Sequence, residues 1–97
     1  MKEITVEKLS HKLESENVII IDVREPFEYN ISNIDGKLIP LDKLQNRMDE
    51  IDEHKKDEVI VMCRSGGRSA EAVKFLETQG FENVKNLKGG INEWAKK

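Results

Sequence analysis

Two apolar runs constrain this chain more than anything else in it. Val18-Ile19-Ile20-Ile21, followed by Asp22-Val23, and Val59-Ile60-Val61-Met62 are unbroken and rich in β-branched side chains. A strand wetted on one face alternates apolar and polar residues, whereas a strand covered on both faces does not. Runs of this kind specify central strands of a parallel sheet, with helices on each side.

The intervening segments supply those helices. Val6, Leu9 and Leu13 recur at spacings of three and four after Thr5, an N-cap candidate. Leu41, Leu44, Met48 and Ile51 repeat the pattern after Pro40, and Ser69, Ala72, Val73 and Leu76 form a third face closed by Gly80. A short helix is expected after Pro26 and another over Ile91–Lys96, carrying Trp94; weaker strands are expected at 37–39 and 84–87. Strands alternating with helices imply a single-sheet α/β domain spanning residues 1–97.

Composition limits what such a domain binds. With 37% hydrophobic residues, 36% charged residues and a net charge of −3, the chain can fold but has no global positive field. Nucleic acid and anionic membrane surfaces are therefore poor partners. The start, Met1-Lys2-Glu3-Ile4-Thr5-Val6-Glu7, lacks the apolar core of a signal peptide, and no segment approaches a membrane span. One cysteine forms no internal disulfide, so a reducing cytoplasm is the expected setting.

That cysteine opens the most unusual stretch of the chain, Cys63-Arg64-Ser65-Gly66-Gly67-Arg68-Ser69. It follows a buried strand and precedes a helix, at the edge where open α/β sheets bind ligands. The glycines let successive N–H groups turn inward, the helix start adds unpaired donors, and Arg64 and Arg68 add charge. Such a nest lowers a thiol pKa and holds an anion. A lone cysteine is elsewhere often just a small buried apolar residue. Here Cys63 reads as a nucleophile, with Arg64, Ser65, Gly66, Gly67, Arg68 and Ser69 cradling an anionic substrate. Asp22 and Arg24, near the same rim, read mainly as a structural ion pair.

Four stretches in order carry a resemblance. Ile20-Ile21-Asp22-Val23-Arg24-Glu25-Pro26 with Glu28-Tyr29 after it, Ile39-Pro40-Leu41-Asp42-Lys43-Leu44, the Cys63 loop, and Leu87-Lys88-Gly89-Gly90-Ile91-Asn92-Glu93-Trp94 are similar to motifs of the rhodanese-like domains. The chain resembles the small single-domain sulfurtransferases of that family. The resemblance implies a five-stranded parallel sheet with helices on both faces. It also implies sulfane-sulfur transfer through a Cys63 persulfide, from thiosulfate or another persulfide or polysulfide donor to an external thiol, dithiol protein or cyanide. No metal or cofactor is implied. Ser32-Asn33-Ile34 departs from the family's usual Gly-His-Ile, and Asn33 does not titrate near neutral pH.

Rival readings are a phosphatase or arsenate reductase of related fold, and a non-catalytic binding module. Oxyanion loops of the first kind place five residues between cysteine and arginine, whereas four lie between Cys63 and Arg68. An intact cysteine loop argues against the second. Neither His11 nor His54 has a sequence reason to face Cys63, and no pair has zinc-ligand spacing.

Overall fold

The computed structural model describes all residues, Met1–Lys97. Five parallel strands, β1 (Glu3–Ile4), β2 (Ile19–Asp22), β3 (Lys37–Leu38), β4 (Glu58–Met62) and β5 (Asn83–Leu87), form one sheet in the order β1-β5-β4-β2-β3. The two apolar runs become β2 and β4, which lie side by side with Ile19 to Asp22 opposite Val59 to Met62. No helix is long and apolar enough to cross a membrane.

Each central strand feeds two cores. Ile21, Val59 and Val61 point into one cluster with Ala72, Val73 and Leu76. Ile20, Ile60 and Met62 point into the other, with Val6 and Leu9. Burying each such side chain contributes about 1.5–3 kcal/mol, which is why both faces stay apolar from Ile19 to Ile21 and from Val59 to Met62. The first cluster lies under α3 (Gly67–Thr78) and the second under α1 (Val6–Ser15) and α4 (Gly90–Trp94). Trp94 packs on the second cluster, with Lys97 Nζ 4.4 Å above its ring.

Local signals account for the helix ends. The Thr5 side chain accepts a hydrogen bond from Lys8 N at 3.2 Å. Beyond α3, Phe81 N bonds Leu76 O and Gly80 N bonds Glu77 O, with Gly80 at φ +94°. This is a Schellman ending, and it carries Phe81 into the core beside Leu76. The helix α2 (Pro26–Ile31) starts at the proline, as expected.

Three elements differ from the sequence expectation. Residues 41–50 form a 3₁₀ helix interrupted at Arg47 (φ −119°, ψ 20°) rather than one α-helix. Leu41/Leu44 and Met48/Ile51 are two pairs spaced by three, which a 3₁₀ turn stacks on one side; the spacing of four between them spans the kink. The edge strand β1 is only two residues and borrows its order from β5, so it leaves no pattern of its own. Leu13 is 40% exposed, because the second core ends at Leu9.

Candidate active site

Cys63 continues the alternation of β4. It falls on the face of Val59 and Val61, and its side chain is 1% exposed, within the first core cluster. The thiol therefore sits on the floor of the loop and not at its mouth. Its surroundings are nonetheless polar on the loop side. Gly66 N donates to Sγ at 3.1 Å, Ser69 N donates at 3.4 Å, and the Ser69 hydroxyl lies 3.3 Å away. Burial pushes the thiol pKa up, but the Ser69 hydroxyl and the N–H groups of Ser69, Gly66 and Ser65 together outweigh it. The thiol is held below its ordinary value.

Two glycine positions shape this cradle. Gly66 adopts φ +116° directly before α3, turning the chain so that the first helical turn aims its amides at the sulfur. Gly90 acts from the other side. Ile91 N and Asn92 N, in the first turn of α4, bond the carbonyls of Cys63 and Arg64 at 3.0 Å each. All peptides are trans, so a carbonyl pulled toward α4 turns the following N–H away from it. The Ser65 N–H thereby turns away from α4 and joins the donors that lower the thiol pKa. A Cβ on Gly90 would lie 2.4 Å from Cys63 O and 2.6 Å from Arg64 O.

The charged groups divide into braces and one open cation. Asp22, fully buried, accepts from Arg24 N at 3.1 Å and from its guanidinium at 2.8–3.2 Å. Arg24 also donates to the carbonyls of Ser32 (2.8 Å) and Glu28 (3.4 Å), closing the C-terminus of α2. Arg68 is already paired: its guanidinium forks onto Glu28 at 2.7 and 2.9 Å and ties α3 to α2. Arg64 is exposed and lines a groove of about 310 Å³ with Phe27, Ile31 and Ile91. Ser65 and Gly67 are exposed on the loop. Asn33 caps the same end of α2, donating to Tyr29 O at 3.0 Å and accepting from Asp35 N at 2.9 Å. His11 is exposed, and His54 pairs with Asp57 at 2.9 Å.

Glu28, Asn86 and Gly90 were not singled out by the sequence reading. Glu28 and Gly90 lie inside stretches that carry the resemblance, but nothing local states their partners. Asn86, buried on β5, interrupts an otherwise apolar face and was the only available clue.

The Glu28–Arg68 fork sets a pH response. The Arg68 hydrogen bonds, against burial and with help from Glu25 N–H, hold the Glu28 carboxyl down from 4.5 to about 2. A carboxyl with a depressed native pKa stabilises the fold fully above 4.5 and loses that contribution as pH falls toward 2. Glu28→Gln is expected to flatten the fall of Tm across that window. Glu50, held at about 2 by Arg47 and then Lys37, leaves a residual slope. An unchanged Tm–pH curve in Glu28→Gln would remove the fork from the account of loop bracing.

Comparison with known proteins follows from this geometry. The model of the family described as "Rhodanese-like domain" matches residues 5–97. The chain belongs to the rhodanese-like family. A protein called sulfurtransferase from Allochromatium vinosum is 40% identical over 98 residues, covering 99% of this chain and 90% of that protein. The putative sulfur carrier protein YrkF of Bacillus subtilis is 38% identical; the match covers 98% of this chain but only 51% of YrkF. Among solved structures, a rhodanese-like domain protein from Staphylococcus aureus superposes with a TM-score of 0.89 at 35% identity, covering 97% of this chain and 91% of that one. The human single domain sulfurtransferase TSTD1, at 22% identity and a TM-score of 0.86, shares the rhodanese-like fold across 100% of this chain and 97% of its own.

Proposed function

We propose that this rhodanese-like domain is a sulfurtransferase whose Cys63 carries sulfane sulfur as a persulfide. The observation behind the reading is the convergence of the Gly66 and Ser69 amides and the Ser69 hydroxyl on one buried sulfur. The kinship with the Allochromatium vinosum sulfurtransferase supports it. In the first half-reaction the Cys63 thiolate attacks the outer sulfur of thiosulfate. The S–S bond breaks and sulfite leaves with the electron pair. In the second, an acceptor nucleophile attacks the outer sulfur of the persulfide and restores the thiolate. Cyanide becomes thiocyanate, and an external thiol becomes a persulfide. Two half-reactions through one covalent intermediate imply ping-pong kinetics.

The residues divide the work. Amides that hold the thiolate also hold a negative outer sulfur, so the charge stays solvated through the transfer. Arg64 at the groove is the cation that meets an anionic donor, with polysulfide or a persulfidated thiol as alternatives to thiosulfate. With no second cysteine in the 97 residues, the acceptor comes from outside these residues, as a thiol, a dithiol protein or cyanide. An unpaired nucleophilic thiol suits the cytoplasm. The direct test compares thiocyanate formation from thiosulfate and cyanide with hydrolysis of an aryl phosphate. Sulfur transfer without phosphate release is expected, with an acid limb below the ordinary thiol pKa because the cradle lowers it. Phosphate release without sulfur transfer would overturn the reading in favour of a phosphatase.

A further inference from the structure

Behind the loop, a buried corner holds a proton that several acceptors compete for. Ser69 is fully buried and its hydroxyl carries a single hydrogen. Three acceptors surround it: Asn86 Oδ1 at 2.5 Å, the Gly66 carbonyl at 3.2 Å and Cys63 Sγ at 3.3 Å. The Gly66 carbonyl already receives Asn86 Nδ2 at 3.2 Å and Ala70 N at 3.0 Å. That bond also orients the Asn86 amide. Turned the other way, its oxygen would face the Gly66 oxygen with no hydrogen between them. Oδ1 is therefore fixed on Ser69, in a residue only 3% exposed.

We propose that Asn86 is a positioning residue that controls, through the one hydroxyl proton of Ser69, how readily Cys63 ionises; this rests on Cys63 being the nucleophile. With Cys63 as a thiol, S–H donates to Ser69 Oγ and Ser69 O–H donates to Asn86 Oδ1, so the chain of three is satisfied. On ionisation the thiol proton passes to water and no other covalent bond breaks. The Ser69 hydroxyl then swings from Oδ1 to Sγ, joining the Gly66 and Ser69 N–H groups on the thiolate. Asn86 Oδ1 is left buried without that donor, which is costly. Asn86 thus holds the sulfur protonated against a cradle that favours the anion. A persulfide, whose charge lies one atom further out, leaves Ser69 free to return to Asn86.

The test is titration of Cys63 by thiolate ultraviolet absorbance in the reduced protein, without any sulfur donor. Asn86→Leu removes the competing acceptor and is expected to raise the ionisation constant of Cys63 about tenfold, on the scale of one buried hydrogen bond. Asn86→Ala, which overfills nothing, serves if the leucine variant does not fold and shifts in the same direction. Ser69→Ala is expected to lower the constant. In the Ser69→Ala background Asn86→Leu or Asn86→Ala then changes it less than about twofold, because the two residues act as one unit. A fall in the constant on Asn86 substitution, or an equal change in both backgrounds, would show that Asn86 only shapes the loop and would overturn the proposal. Absence of persulfide in the wild type would count against sulfur transfer while leaving this titration readable.

Discussion

Cys63→Ser is expected to reduce thiosulfate-dependent thiocyanate formation by at least about 10⁴-fold, to background, as loss of a covalent nucleophile does. The fold should survive. Serine is smaller than cysteine, and its hydroxyl can accept from the same Gly66 and Ser69 amides that now serve the sulfur. Its cost is a poorer fit in the core cluster, about 1 kcal/mol, which corresponds to a Tm shift of roughly 4–8 °C for a domain of this size. Turnover and Tm measured on one preparation separate the two effects. Residual turnover within tenfold of wild type would place the chemistry elsewhere.

A second large effect is expected far from the thiol in sequence. Gly90→Ala forces a methyl group to within 2.4–2.6 Å of the Cys63 and Arg64 carbonyl oxygens, and asks a residue with a Cβ to hold φ +58°. Backbone atoms cannot step aside as a flexible side chain can. The bonds from Ile91 N and Asn92 N must lengthen, and the peptides that aim N–H groups at the sulfur lose their anchor. A loss of about 2–4 kcal/mol in stability is expected, together with a fall of at least about 100-fold in kcat/KM, since misdirected oxyanion donors cost that much. Gly67→Ala is the contrast. Nothing lies within 4 Å of its added Cβ and it begins α3, so stability is expected to stay level or rise by about 0.4–1 kcal/mol. Denaturant unfolding and steady-state kinetics on the pair check both statements. Equal, small effects at the two glycines would detach the α4 anchor from the cradle.

These contrasts also mark what the sequence made legible. Unbroken apolar runs revealed β2 and β4 because burial on both faces is written locally, residue by residue. The loop stands out for the same reason: cysteine, glycines and arginines stand together in the chain. Partners contributed from a distance were not legible. Arg68 reads as a free cation until Glu28, 40 residues earlier, is seen to neutralise it. Asn86 reads as part of a weak strand until its amide is found between Gly66 and Ser69. The depth of Cys63 follows from β4 alternation running one residue past the strand, which a motif boundary hides. The Leu41–Ile51 pattern fits both helix types, and only the kink at Arg47 decides between them.

The central claim is that one sulfur, ionised inside a ring of amides, carries a second. Intact-mass measurement of the reduced protein before and after thiosulfate tests it most directly. The account predicts a gain of one sulfur atom, reversed by cyanide and absent from Cys63→Ser. No gain in the wild type, or an equal gain in Cys63→Ser, would contradict it.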